Sequence, residues 1–259
     1  MIKVGRWFLA LAILLLAWPA TPAPGSQAEP PVLEELQYRV DVWVWRDVAR
    51  ARGTLKGLGS GRYLAEISGE ARGLLDLLSG HRRDSYQTEM ICRQGRLLPL
   101  VYREESRRRG KRRYKEYRFD YARGRLEMWK WKEGRGLTLT WHTPLKEPIY
   151  DPLSAFYNYR LGLLGPLKEG ETIKVAGIPH PKPEEIEIRN GPVTSEGRQV
   201  TVAILNPAFE DERGLVFVYF DDRGVPTHAW TRVLHFGKIM GQLLPVSEPL
   251  KGGLPEFSP

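Results

Sequence analysis

Few side chains in this 259-residue sequence have the types and spacing that chemistry requires. Its five histidines, His81, His142, His180, His228 and His235, show no metal-ligand spacing. His228 and His235 stand seven apart on one expected strand, so they face opposite ways. Ser154 lacks the G-x-S-x-G elbow of a nucleophilic serine and reads as a first-turn helix residue. Asp221-Asp222, followed by Arg223-Gly224, reads as a hairpin turn whose carboxylates bond to local N–H groups. Cys92, the single cysteine, sits in the strand-like Met90-Ile91-Cys92 and reads as a buried, inert thiol. No metal, cofactor or catalytic residue is expected, and a hydrolase is the residual enzymatic alternative.

One stretch is chemically distinctive through its charge. Of 39 basic and 31 acidic side chains, residues 103–118 hold nine basic and three acidic, a local net of +6. Leaving aside Lys3 and Arg6, the remainder is neutral, so the basic character belongs to one hairpin. Arg107, Arg108, Arg109, Lys111, Arg112 and Arg113 are the candidate contacts to an anionic surface, a membrane or lipopolysaccharide. Near such a surface each contributes about 1 kcal/mol. The plain alternative is a solvated hairpin whose charges keep a long strand pair from aggregating. Nucleic acid is excluded as a partner on the expectation of export, although Tyr114 and Tyr117 beside these arginines suit stacking.

Short alternating runs broken by Gly, Asp and Pro must position these groups, the pattern of an antiparallel sheet. Strands are expected at 34–48, 51–57, 62–69, 84–92, 96–106, 112–121, 124–132 and 136–142, then at 171–177, 183–190, 197–205, 214–221 and 225–236. Tyr150-Asp151-Pro152 opens a central helix at about 150–161, with Asp151 as N-cap and Pro152 in the first turn. Leu153, Phe156, Tyr157 and Leu161 share its stripe. A second short helix is possible at 70–79, where Leu74, Leu75 and Leu78 share a face. The expected fold is mainly β: a large antiparallel meander curled into a barrel or half-barrel, with the central helix packed on or in it. On the first strand Trp43 and Trp45 oppose the Tyr38, Val40, Val42 and Val44 face, and Trp129 and Trp131 repeat the pattern later. These four tryptophans, with Leu153 and Phe156, are the candidate lining of a ligand cavity; simple core packing is the alternative for each.

Residues 1–28 read as a cleavable signal peptide: Lys3 and Arg6, the apolar run Trp7 to Trp18, and cleavage after Ala28. An uncleaved anchor is the other reading of that segment. Residues 29–244 are expected to form one β domain, stabilised by core burial because a single cysteine allows no intrachain disulfide, and 245–259 a flexible tail.

Leu36-Gln37-Tyr38-Arg39-Val40, the central Asp151-Pro152-Leu153-Ser154-Ala155-Phe156-Tyr157 with Arg160, and Phe220-Asp221-Asp222-Arg223-Gly224-Val225-Pro226 form a further pattern. Phe236-Gly237 and Leu243-Leu244 follow. Together they resemble a bacterial family known as domain of unknown function 3108. The first hairpin, with Trp45-Arg46-Asp47-Val48-Ala49-Arg50-Ala51 in place of a Gly-containing turn, and the Arg-rich hairpin depart from the family pattern. The resemblance implies an exported, periplasmic β protein whose architecture is similar to the open barrels of lipoprotein-localisation carriers. It implies no reaction. The expected function is a non-catalytic, monomeric carrier or chaperone that shelters an acyl chain, lipid or lipoprotein in a curved β cavity. The alternative is an envelope scaffold that binds a protein or polysaccharide through its basic hairpin or sheet edge.

Overall fold

The computed structural model describes residues 29–178, 183–203, 214–233, 237–251 and 254, and those from Pro31 onward belong to one compact unit. The expected leader 1–28, His180, His235, Phe236 and the side chains of Leu74, Leu75 and Leu78 lie outside the described residues. A first meander runs through β1 (Val32–Val42), β2 (Trp45–Gly59), β3 (Arg62–Ala71), helix α1 (Gly73–Ser79), β4 (Arg83–Arg93), β5 (Arg96–Arg108), β6 (Lys111–Asp120), β7 (Arg125–Lys132) and β8 (Gly136–Pro144). The two-residue β9 (Ile149–Tyr150) and helix α2 (Pro152–Arg160) follow. The second meander comprises β10 (Thr172–Gly177), β11 (Glu184–Thr194), β12 (Gly197–Ala203), β13 (Leu215–Phe220), β14 (Pro226–Val233) and β15 (Gly237–Leu243).

Because β15 pairs with β1, the two meanders merge into one fifteen-stranded sheet with β8 and β9 at its edges. Every pairing is antiparallel except β9 on β10. Those edge strands are separated in sequence only by residues 145–148, so the sheet must curl until its edges approach. Among the described residues no ladder closes it. Side chains seal the seam instead: Leu145, Ile149 and Ile178 pack among Tyr102, Tyr117, Phe119, Leu126 and Met128.

Strand alternation decides which face turns inward. One register row, Glu34–Leu55–Ala65–Thr88–Tyr102–Tyr117, crosses six strands and is buried throughout. The next row, Glu35–Thr54–Glu66–Gln87–Arg103–Glu116, is polar throughout and faces the other way.

Helix α2 fills the inner face. Leu153, Phe156, Tyr157 and Leu161 pack with Leu55, Tyr63, Met90 and Leu97, while Phe156 and Tyr159 meet Ile186, Ile188, Val200 and Phe220 of the second meander. Each fully buried side chain of this size stabilises by roughly 1.5–3 kcal/mol. Asp151 caps the helix as expected, accepting from the Leu153 and Ser154 N–H groups, and Ser154 Oγ accepts from the Asp151 N–H at 3.0 Å. The Thr88 hydroxyl also donates to Asp151, at 2.6 Å. Burial pushes the Asp151 carboxyl up, and the hydrogen bonds from Thr88 and Ser154 oppose that shift. The helix is not simply amphipathic, since polar Ser154 and Asn158 are wholly buried. Ladder pairing of β6 with β5 begins at Val101, which leaves the Leu97 peptide groups open on that side. The Asn158 amide takes their place, accepting from the Leu97 N–H at 2.9 Å and donating to its C=O at 2.7 Å.

Two expectations are corrected. The strand expected at 34–48 is a hairpin that turns at Trp43-Val44, and strands β9 and β15 were not anticipated. Of the segment 245–259, expected to be flexible, the described residues 245–251 and 254 are seated: Glu248 bridges to Glu35, the Leu250 N–H donates to Glu34 Oε1 at 2.9 Å, and Leu254 is wholly buried beside Leu55. Its leucines complete the core, and burying them outweighs ordering a short chain end.

Candidate anion-binding rim

The β5–β6 hairpin turns at Arg109-Gly110, both at positive φ (49° and 72°). Glycine takes that conformation freely and arginine at a cost, so the tip is held by neighbours. The Arg109 N–H donates to the Gly80 C=O at 2.8 Å, and Arg108 Nε donates to the Ser79 C=O at 2.9 Å. Arg109 lies so close over Gly80 that a Cβ there would fall 2.4 Å from its Cγ. Gly80 ends α1 in the left-handed conformation, and the terminal carbonyls of a helix attract cations. The short helix therefore serves as a shelf for the hairpin tip.

Register sorts the hairpin's charges between two faces. Arg107 pairs with Arg112, and both reach Glu105, at 2.5 and 2.7 Å. The Arg112 contact holds the Glu105 carboxyl below its usual range against the opposing effect of burial, and Arg107 adds to it. On the other face Ser106 opposes Arg113, and Arg108 opposes Lys111. These four, with Arg109 and Arg82, line a pocket of about 300 Å³ that contains five cationic side chains and no carboxylate. Arg82 is paired with Asp84 at 2.8 Å, but Arg109, Lys111 and Arg113 have no acidic partner among the described residues. A concave group of donors with uncompensated positive charge suits a multi-oxygen anion such as a phosphate group. Sequence reading found the hairpin but missed Arg82; the His81-Arg82-Arg83 run was its only signal.

A larger cleft, about 830 Å³, crosses the polar face of β1–β5. Gln37, Arg52, Ser68, Ser85 and Glu105 form one row along it. Its arginines are largely neutralised by neighbours: Arg52 pairs with Glu35 and Arg107 with Glu105, each at 2.5 Å. The lining is polar and charged rather than suited to an acyl chain.

The six residues expected to line an apolar cavity are not brought together. Trp43 and Trp45 stand at the β1–β2 tip, 75% and 48% exposed. Trp129 and Trp131 lie on the charged face, where Arg118 sits 4.7 Å over the Trp129 ring and Arg112 sits 5.8 Å over Trp131. Leu153 and Phe156 are packed into the core by α2. The alternation argument failed because the chain reverses at Trp43, which places the two tryptophans around a turn. Among the described residues no group of three His, Cys, Asp or Glu side chains gathers to hold a metal. Burial raises the Cys92 thiol, as expected of an unreactive one. Asp221 Oδ1 accepts from the Arg223 and Val225 N–H groups, the turn role read from sequence.

A protein family described as "Protein of unknown function (DUF3108)" matches residues 37–189, more than half the chain, from β1 through α2 into β11. The chain belongs to the DUF3108 family. The match includes the Asp151–Arg160 helix and the basic hairpin, while the Phe220–Pro226 turn falls outside it. This DUF3108 member is also similar to a beta-barrel-like protein of domain of unknown function DUF1849 from Brucella abortus, known from a crystal structure. The TM-score is 0.53 at 9% identity, over 86% of this chain and 100% of that one. That likeness shows a shared fold. No curated protein matches the DUF3108 chain.

Proposed function

We propose that this protein is a non-catalytic binding protein of the bacterial cell envelope, exported to the periplasm, which engages a phosphate-bearing anionic partner at the β5–β6 rim. The observation that carries the reading is the pocket of Arg82, Arg108, Arg109, Lys111 and Arg113, five cations with no carboxylate in the lining. A hairpin charged only for solubility needs no shelf, whereas here α1 fixes the tip through two backbone carbonyls. The acyl-carrier reading has less support, because α2 occupies the inner face and the 830 Å³ cleft is charged.

Calorimetric titration with inorganic tripolyphosphate tests the proposal. Saturable binding that weakens with salt is expected, and Arg109→Ala/Lys111→Ala/Arg113→Ala should reduce it by at least about tenfold. Arg93→Ala/Arg96→Ala, at the opposite end of β4 and β5, should leave it unchanged. Equal losses in the two variants, or none in the first, would overturn it.

A further inference from the structure

The rim that bears the basic pocket also carries exposed tryptophan. Trp43 (75% exposed), Val44 (65%) and Trp45 (48%) form the β1–β2 tip, Leu77 projects from α1 and Trp131 from β7. Register places all of them at one end of the sheet. Ala49 of β2 opposes Ala71 of β3, Glu70 opposes Arg83 of β4, and Arg83 opposes Arg107 of β5, just before the basic tip. The three tryptophans are the exposed ones among the described residues, and this end holds all three.

The tip is rigid. The Trp43 N–H donates to the Lys238 C=O at 2.7 Å, and the Trp43 ring lies over Gly237, where a Cβ would be in contact at 3.5 Å. Trp43 adopts a φ of 53°, a conformation that costs a bulky residue energy. A strained, anchored turn thus holds an apolar surface in solvent, a costly arrangement unless something covers it.

Dimensions and charge indicate what does. Arg50 shares a register row with Glu70, Arg83 and Arg107. Counted along β1 from Arg39, the partner of Arg50, because a register shift between Val40 and Val42 puts extra residues into β2, Trp45 lies about 10 Å beyond that row and the Trp43 turn about 13 Å, against about 7 Å for the β5–β6 tip. The tryptophan tip therefore leads by roughly 6 Å, within the depth to which interfacial apolar groups enter a bilayer. Three strand spacings, about 15 Å, separate the two tips laterally. Arg46 flanks the wedge in sequence, Lys238 lies beside it on β15, and the basic pocket with Arg82 follows along the same end. Tryptophan between basic residues is the composition that favours the bilayer interface.

We propose that this end docks on an anionic lipid bilayer, with Trp43-Val44-Trp45 inserted at the acyl boundary and the cations of the β5–β6 pocket on lipid phosphates. The inference rests on the proposed phosphate-binding role of that pocket and names its source as membrane lipid.

The test uses residues 29–259, the exported form without the apolar leader, carrying Cys92→Ser and a single environment-sensitive fluorophore on Val44→Cys or, as control, on Val193→Cys. Val193 is exposed in the β11–β12 hairpin at the opposite end of the sheet. With vesicles of phosphatidylcholine containing about one-third phosphatidylglycerol, the position-44 label should brighten and shift to the blue, and the position-193 label should not. Adding Trp43→Ala/Trp45→Ala to the position-193 chain should weaken vesicle flotation at least about tenfold, the loss expected when large apolar side chains leave an apolar phase. That pair should leave tripolyphosphate binding unchanged. A silent label at position 44, or equal responses at both positions, overturns bilayer docking. If tripolyphosphate still binds at the pocket in that case, the proposed function stands; if it does not, both fall.

Discussion

Removing Arg160 should destabilise the fold more than any surface substitution, for reasons visible in its surroundings. Arg160 Nη1 donates to both oxygens of Glu34, at 2.6 and 2.7 Å, and the two side chains are 5% and 0% exposed. Glu34 also accepts from the Tyr157 hydroxyl at 3.0 Å and from the Leu250 N–H at 2.9 Å. One carboxylate thus ties β1, α2 and the chain end together, and burial beside it raises the Tyr157 hydroxyl well above its usual range, keeping it a neutral donor. Deleting one partner of a buried ion pair leaves an uncompensated charge and costs about 3–5 kcal/mol, whereas replacing both with apolar residues costs far less. Arg160→Leu should therefore shift the folding equilibrium more than about a hundredfold at neutral pH. The singles Arg160→Leu and Glu34→Leu should together exceed the double variant by at least about 2 kcal/mol. Urea unfolding followed by near-ultraviolet circular dichroism measures this, provided the denaturant slopes agree among variants. A loss under about 1 kcal/mol in Arg160→Leu, or strict additivity in the double, would show that solvent reaches the pair and would refute the reasoning.

Two further outcomes follow from the same packing. Leu254→Ala, within the segment 245–259 expected to be a flexible tail, should cost about 2–4 kcal/mol in urea unfolding because the side chain is wholly buried; a neutral result would mean that Leu254 is not part of the core. Glu105, held below its ordinary 4.5 chiefly by Arg112, should contribute stability that is present above that value and lost as pH falls through its lower folded pKa. Hence the stability gap between the native protein and Glu105→Gln should close on going from about pH 6 to pH 3, and a gap independent of pH would count against the Arg112 contact.

Much of the fold is legible in the sequence because its signals are local. Asp151-Pro152 starts α2 where the structure has it, Asp222-Arg223-Gly224 turns as expected, and Gln94-Gly95 and Glu133-Gly134 fall in the gaps between expected strands. What escaped lacks a local signal. The β1–β2 turn puts Trp43 where the backbone would ordinarily select glycine, so the period-two pattern reads through it as one long strand. Strand β9 has two residues, too few for any period to show. Asn158 looks like a solvent-facing helix residue until the short ladder between β5 and β6 exposes the Leu97 peptide. The rim was half legible. Its hairpin charges are contiguous, but Arg82 joins them only because α1 folds beneath the tip, and the tryptophan wedge arrives through a register that spans four strands.

The distribution of these features bears on how rim variants should be read. The buried ion pair, the Asp151 cap, the Asn158 bridge and the seated chain end are all built around α2 and the inner face. Trp43, Trp45, Arg109, Lys111 and Arg113 are exposed and contribute little to that interior. Surface substitutions of this kind usually change stability by under about 0.5 kcal/mol. Truncating them should therefore alter binding while the urea midpoint stays in place. Arg109 is the exception to watch, because its backbone and side chain meet Gly80, and Arg109→Lys is the substitution that keeps the charge while testing that contact. If Arg109→Lys lowers the urea midpoint but preserves tripolyphosphate binding, the α1 shelf matters for stability alone; if binding falls with an unchanged midpoint, the shelf exists to present the cation.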